Sequence, residues 1–350
     1  WKQALDASPL KEEFLRRVSG RLPAKFDTAI DTYKQDLAKA PPALATRNAS
    51  QNALDVINAA VPETVGGSAD LTGSNNTKSK DLKALNAADY GGRYIYYGIR
   101  EHGMAAAMNG MALHGGVIPY GGTFLVFTDY CRPSIRLSAL MQQRVIYVMT
   151  HDSIGLGEDG PTHQPVEHLA ALRVIPNLAV YRPCDAIETA ECWQLALQDA
   201  TRPSVLALTR QKLKPARLTH SAENLCARGA YEVAGSEKTA EVVIFASGSE
   251  VEIAIAAKAL LDKAGRPTRV VSVPSMENFE AQDAAYRAGV LGKENIRIAI
   301  EAGVRTGWDR FIGVDGHFVG MTGFGASGPA ELLYKHFGIT AEATVKAATA

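Results

Sequence analysis

A chain of 350 residues with 46% hydrophobic residues is long enough to build two domains with cores of their own. Lys+Arg 37 balance Asp+Glu 37, so the formal net charge of +0 leaves no electrostatic footprint for nucleic acid or an anionic membrane. Any anionic ligand must therefore be held by a few local basic groups. No apolar run approaches the roughly 20 residues that cross a bilayer, and no signal peptide is visible at the start. Cys131, Cys184, Cys192 and Cys226 lack both CxxC spacing and the density of a disulfide scaffold, so a reducing, cytoplasmic compartment is expected. The sequons Asn48-Ala-Ser50 and Asn75-Asn-Thr77 are then chance matches.

Residues 1 to 40 predict a polar helical arm, with Leu5, Leu10, Phe14, Leu15, Val18 and Leu22 on one side and nothing to pack against. Pro41-Pro42 closes it, and the segment reads as a linker. Strand and helix then alternate. Helix is expected over Ala49 to Ala60, Arg100 to His114, Pro133 to Leu140, Pro165 to Val174 and Ala186 to Gln198. Strand is expected over Thr64 to Ser68, Arg93 to Tyr97, Val117 to Tyr120, Arg144 to Thr150, Leu178 to Tyr181 and Ser204 to Thr209. Apolar, β-branched runs separated by helices of this length predict a parallel sheet covered on both faces. A charged, strand-poor stretch, Lys212 to Arg228, reads as a second linker. The second α/β unit predicts strands at Glu241 to Ala246, Thr268 to Val273 and Ile296 to Ile300. Helices are expected at Val251 to Ala264 and, last, from Pro329. The fold class is α/β: two three-layer α/β/α domains with mostly parallel sheets, preceded by a helical linker.

Residues 151 to 168, His-Asp-Ser-Ile-Gly-Leu-Gly-Glu-Asp-Gly-Pro-Thr-His-Gln-Pro-Val-Glu-His, are the most informative stretch. They join a predicted buried strand to a helix that Pro165 can open at its first position. Three histidines, four acids and three glycines in one such stretch predict an active-site loop, because α/β enzymes place their chemistry at strand ends. Glu101, in Gly98-Ile-Arg-Glu-His-Gly-Met104, sits where a strand hands over to a helix. A carboxylate there either holds a proton against a ligand nitrogen or merely favours the helix dipole, and taken alone the second reading has the larger share. Phe124, Phe127 and Tyr130 recur every three residues and would share one helical face. Core packing is the default for such a stripe; the alternative is a stacking surface for an aromatic ring, which the adjacent Gly121-Gly122 would let approach. Gly323-Phe-Gly-Ala-Ser-Gly328 fits GxGxxG but opens no βαβ unit, and reads as the tight loop before the last helix.

Together these motifs resemble transketolase. Gly66-Gly-Ser-Ala-Asp-Leu71, Ala45-Thr-Arg47 and Leu208-Thr-Arg-Gln211 agree in the right order, and the likeness covers essentially the whole chain. It implies thiamine diphosphate as cofactor and transfer of a two-carbon ketol unit between sugar phosphates. The matching Glu101 would contact N1′ of the aminopyrimidine, and Phe124, Phe127 and Tyr130 would surround that ring. Asp70 would lie near the thiazolium. Arg47, Ser74, His151 and Arg210 match positions that hold the sugar phosphate, Asp159 one that reads a substrate hydroxyl, and His163 one beside the reacting centre. His102 and His168 have no counterpart and are taken as structural.

The resemblance divides the chain into a linker at 1–43, a pyrimidine-binding domain at 44–215 and a C-terminal domain at 216–350. The family binds Mg²⁺ (or Ca²⁺) and the diphosphate through a Gly-Asp-Gly…Asn motif in an N-terminal domain, and these 350 residues contain no Gly-Asp-Gly. No metal ligand is therefore expected in this chain. The implied partners are sugar phosphates, a second copy in a homodimer whose interface shares the cofactor, and an N-terminal diphosphate-binding domain in cis or trans. Neither nucleic acid nor membrane is expected. A β-subunit-like component of a 2-oxoacid dehydrogenase and a non-catalytic scaffold remain as alternatives. The Gly-Glu-Asp-Gly-Pro-Thr-His loop disfavours the first, and retention of Glu101, Asp159 and His163 the second.

Overall fold

The computed structural model describes residues 1–349. Two sheets organise them. The first is six strands, all parallel: β1 (Thr64–Ser68), β2 (Tyr94–Tyr96), β3 (Ile118–Phe124), β4 (Ile146–Thr150), β5 (Ala179–Tyr181) and β6 (Ser204–Leu208). They run β2-β1-β3-β4-β6-β5 across the sheet. The second holds β7 (Tyr231–Ala234), β8 (Val242–Ala246), β9 (Thr268–Ser272), β10 (Ile296–Glu301) and β11 (His317–Gly320), in the order β11-β10-β8-β9-β7. Only β7 runs antiparallel to its neighbour. Helices cover both faces of each sheet, so the architecture is the expected pair of α/β/α units. Burial of β4 and β6 on every residue fits their unbroken apolar character.

One face of the first sheet packs on the helices Thr46–Ala60 and Ala186–Gln198, with Leu54, Ile57, Tyr120, Val148, Trp193 and Leu206 in the core. The other packs on Glu101–His114 and Thr128–Leu140 through Met104, Met108, Ile135 and Tyr147.

The amino-terminal arm differs from expectation. It is three helices, Lys2–Asp6, Lys11–Val18 and Lys25–Lys39, broken near Pro9 and between Gly20 and Pro23. The third is not an unpacked linker. Phe26 and Ile30 enter the first core, and buried Lys34 lies 2.8 Å from Glu191 in the helix Ala186–Gln198. Phe26 and Ile30 lie beyond the apolar stripe that ends at Leu22, and they pack on the helix Thr46–Ala60 as well as on Ala186–Gln198.

Other boundaries move for local reasons. The helix expected at Pro165 starts only at His168, because Val166 turns into the core of the second unit. The aromatic stripe is not one helical face. Phe124 ends β3, Phe127 ends the 3₁₀ turn Leu125–Phe127, and Tyr130 lies in the helix Thr128–Leu140. The three-residue period of the turn still aligns the rings. Gly121 and Gly122 do not admit a ligand: a Cβ at Gly121 would meet the Met108 sulfur at 2.7 Å, and one at Gly122 the Thr77 methyl at 2.6 Å. The Lys212 to Arg228 stretch lacks strands, yet Leu213, Arg217 and Cys226 are buried within it. β7 and β11, the helices Met276–Glu280 and Ala284–Leu291, and a last helix Ala341–Ala347 were not anticipated.

Candidate functional site

The residues singled out from the sequence lie at the carboxyl ends of the first sheet's strands, where a parallel sheet opens a crevice at its switch in strand order. Asp70 follows β1, Glu101 opens the helix after β2, Phe124 ends β3, His151 follows β4 and Arg210 follows β6. His151 holds φ +61°, a left-handed conformation uncommon for a residue with a side chain. The turn lays its ring on Phe124, with centroids 3.7 Å apart and 28° between planes. Phe124 in turn stacks on Phe127 at 5.5 Å and 11°. His163 stands edge-on to both rings, 6.3 Å from Phe124 and 5.4 Å from Phe127. Tyr130 extends the row, 5.7 Å from Phe127, and is 63% exposed. The result is one wall of aromatic and imidazole faces, open at its Tyr130 end.

Two arginines meet beside that wall. Thr46 and Thr209 exchange hydrogen bonds (Thr46 N to Thr209 Oγ1, 2.9 Å; Thr209 N to Thr46 Oγ1, 2.7 Å), tying the start of the helix Thr46–Ala60 to the end of β6. Arg47 and Arg210, each the next residue, are thereby brought close enough that burial and then Arg210 lower the Arg47 pKa, with Asp159 opposing. Arg47 donates to Ser74 O at 2.8 Å and Arg210 to Leu156 O at 3.0 Å. Arg47 Nε is buried with no partner. Two converging cations with an unused buried donor suit an anion, and phosphate in particular.

His151 is 2% exposed, and burial, then Arg47, Arg210 and His163, push its pKa down from 6.5 to about 3. Its Nε2 lies 3.9 Å from Asp159. At neutral pH this is a neutral ring beside a carboxylate, not an ion pair.

The loop carrying Asp159 and His163 is pinned from the second unit. Ile154 and Val166, at its two ends, lie in that unit's core with Ile244, Ile300 and Leu333. Gly160 N donates to Ser327 Oγ at 3.1 Å, so the Gly323–Gly328 segment does precede a helix but also braces this loop. Below it Asp152, wholly buried, accepts from Arg182 Nε at 2.9 Å. Arg182 also donates to Ser247 and Glu250, and Glu301 takes both Arg173 nitrogens at 2.8 Å, Ser247 Oγ at 2.5 Å and Trp308 Nε1 at 2.8 Å. Burial pushes the Asp152 carboxyl up while Arg182 opposes it, and Arg173 helps hold Glu301 down at about 2 against its own burial.

Among the described residues neither Glu101 nor Asp70 finds a side-chain hydrogen-bond partner. Glu101 is half-buried, and its charge helps raise the Cys131 thiol after burial itself. Asp70, at φ +62°, is exposed. His168 is buried with Nε2 3.2 Å from Asp129, whereas His102 is exposed with Ser134 Oγ 3.2 Å from its Nδ1. Among the described residues no group of three or more His, Cys, Asp or Glu is arranged to hold a metal. Sequence reasoning missed Asn75, Thr150 and Arg182. Asn75 stood out only as a sequon, and it is wholly buried, so no glycan can reach it in the fold.

Residues 42–215 match the transketolase pyrimidine-binding domain and residues 229–340 the transketolase-like C-terminal domain. A transketolase of Cereibacter sphaeroides is 58% identical over 348 residues, covering 99% of this chain and 52% of that protein. The chain belongs to the transketolase family. A second transketolase, of Sinorhizobium medicae, is 56% identical over 99% of the chain and 50% of its own length. The chain thus spans about half the length of the curated transketolases it matches. Among solved structures, transketolase from Leishmania mexicana superposes with a TM-score of 0.91 at 44% identity, over 100% of this chain and 51% of that one. A split gene transketolase described as an inactive beta4 tetramer shares the fold, with a TM-score of 0.72 at 24% identity over 87% of this chain and 97% of its own.

Proposed function

We propose that this chain is the pyrimidine-binding and C-terminal part of a transketolase, moving a two-carbon ketol unit from a ketose phosphate to an aldose phosphate with thiamine diphosphate. Residues 44–215 would form the pyrimidine-binding domain, 216–350 the C-terminal domain and 1–43 the linker. The observation that carries the reading is the junction of the Phe124–Phe127 wall with the Arg47–Arg210 pair through His151 and His163. Ring faces and an unused buried guanidinium nitrogen fit an aromatic cofactor ring beside a phosphorylated substrate.

Bound here, the cofactor would supply the nucleophilic carbon that carries the two-carbon unit. The chain's own residues would hold and select. Glu101 would keep a proton at N1′ of the aminopyrimidine, flanked by Phe124, Phe127 and Tyr130. Asp70 would offset the positive thiazolium. Arg47, Ser74, His151 and Arg210 would take the sugar phosphate, Asp159 would read a hydroxyl, and His163 would donate or shuttle a proton near the reacting atoms. Mg²⁺ (or Ca²⁺) and the diphosphate would be held by an N-terminal domain, in cis or in trans, and a homodimer would complete the cofactor's cleft.

Glu101→Gln in the complete enzyme tests the central assignment. Proton exchange at C2 of bound thiamine diphosphate should slow by orders of magnitude, and an unchanged rate would remove Glu101 from this role. Calorimetry tests the division of labour. The 350-residue chain alone should show no Mg²⁺-dependent binding of thiamine diphosphate, because its described residues present no set of acidic oxygens for an octahedral ion. Adding a diphosphate-binding domain should restore binding and ketol transfer; tight, Mg²⁺-dependent binding by the chain alone would overturn the division.

A further inference from the structure

A chain of buried hydrogen bonds leads from the turn after β1 to the imidazole of His151. Leu71 N donates to Ser68 Oγ at 3.1 Å. Ser68 Oγ donates to Asn75 Oδ1 at 2.9 Å, and Asn75 Nδ2 donates to Thr150 Oγ1 at 2.8 Å. Thr150 Oγ1 lies 2.9 Å from His151 Nδ1. Ser68, Asn75 and Thr150 are wholly buried and His151 nearly so, which leaves these groups to satisfy one another away from bulk water.

The direction of this chain is forced. A backbone N–H can only donate, so Ser68 accepts from Leu71, and its own proton must go to the Asn75 carbonyl oxygen. The Asn75 NH₂ then faces Thr150, whose hydroxyl accepts and must send its proton to His151 Nδ1. Turning the Asn75 amide over would set two donors against Ser68 and leave the serine proton with no acceptor in the interior, a costly state. The fold also reserves room for the amide. A Cβ on Gly122 would stand 3.1 Å from Asn75 Cβ, so a glycine in β3 is what lets Asn75 reach Thr150.

We infer that Asn75 is a positioning residue that fixes the tautomer of His151, leaving Nδ1 bare and the proton on Nε2. On the reading given under Proposed function, that proton makes His151 a hydrogen-bond donor to the oxygens of the sugar phosphate. The depressed basicity of the ring supports a neutral donor, since the cation would donate from both nitrogens whatever Thr150 did. Arg47 and Arg210 then carry the charge in the phosphate subsite, and His151 supplies direction.

Nitrogen-15 NMR of the histidine rings in the 350-residue chain tests this without any activity. The His151 signals are assigned by their loss in His151→Gln. The unsubstituted chain should show Nδ1 as an unprotonated ring nitrogen and Nε2 as a protonated one. Asn75→Leu removes the donor that orients Thr150, and Thr150→Val removes the hydroxyl itself. Each should shift the tautomer ratio toward the Nδ1–H form by roughly tenfold or more, the loss of one oriented buried hydrogen bond. A merely structural role for Asn75 would change melting temperature and leave the ratio alone. An Nδ1–H ring in the unsubstituted chain, or a ratio unmoved by the substitutions, overturns the inference. If Asn75→Leu does not fold, Asn75→Asp takes its place: it keeps an acceptor for Ser68 but turns an acceptor toward Thr150, so it should shift the ratio to the Nδ1–H form, and an unmoved ratio overturns the inference. In a second arm, the chain is combined with a diphosphate-binding domain and assayed for ketol transfer. There kcat/KM of Thr150→Val should fall about tenfold, and an unchanged value would overturn the donor role. Absence of ketol transfer in the unsubstituted pair would instead sink the proposed function, with the tautomer result standing apart.

Discussion

His151 shows how far one residue's chemistry is set by its surroundings. Its folded pKa is depressed to about 3 from 6.5, so on acidification the unfolded chain takes up the proton first. The stability this group contributes is therefore complete above about pH 6.5 and drains away as the pH falls toward 3, by about 1.4 kcal/mol per pH unit. His151→Gln should flatten that part of the acid denaturation curve, and an imidazole titrating near 6.5 would contradict the assignment. Arg210 offers a second test. A charge-assisted hydrogen bond is worth about 1.5 to 3 kcal/mol, so under the proposed function Arg210→Ala in the complete enzyme should weaken phosphorylated substrates by roughly 10- to 100-fold. Unphosphorylated ones should change much less; equal loss would make Arg210 structural. The loop histidines His151 and His163 were legible because titratable groups stand out among turn residues, Arg47 and Arg210 were legible only through the family resemblance, and buried Arg182 was not legible at all. Nor were Ser68, Asn75 and Thr150. A hydroxyl or amide gains its meaning from which strands pair, and spacing along the chain does not carry that.

Strand positions were legible where the sheet is buried on both faces, as in β4 and β6, because apolar β-branched runs leave little choice. They failed only at the rims of the second sheet, β7 and β11; the first sheet's edge strands β2 and β5 were both anticipated. β7 is an antiparallel edge with Glu232 exposed, and its period-2 signal covers four residues. The shape of the aromatic stripe was misread because a 3₁₀ turn and a helix both align residues three apart. Turns that carry a positive φ give a sharper check. Gly229, at φ +77°, closes the 3₁₀ turn before β7, and a Cβ there would meet Phe279 N at 2.0 Å and Ser275 O at 2.4 Å, both backbone. Gly229→Ala should therefore cost about 2 to 5 kcal/mol from left-handed strain plus displaced backbone. Gly20→Ala, at φ +73° with only the tip of Arg144 within 3.3 Å, should cost about 1 to 2 kcal/mol. Urea denaturation compares them; equal losses would mean the backbone around Gly229 yields freely.

At the scale of the whole molecule the two sheets are separate but their cores are not. Ile154, Val166 and Cys184 belong by sequence to the first unit and pack in the second, above the buried Arg182–Asp152–Glu250 pairing. Ile154→Ala should cost about 2 to 5 kcal/mol. Trp193 lies in the first core and Trp308 in the second, so their fluorescence transitions, followed in single-tryptophan variants, should coincide. Separated midpoints would mean that the units unfold independently. This shared packing also says what can be exchanged between relatives by recombination. A crossover in the 212–228 stretch would part Glu250 and Leu333 from the Asp152, Ile154, Val166 and Arg182 they were selected with. The heritable module is the second sheet together with those four residues, and a chimaera that respects the linker but not the four should inherit a loose 151–167 loop.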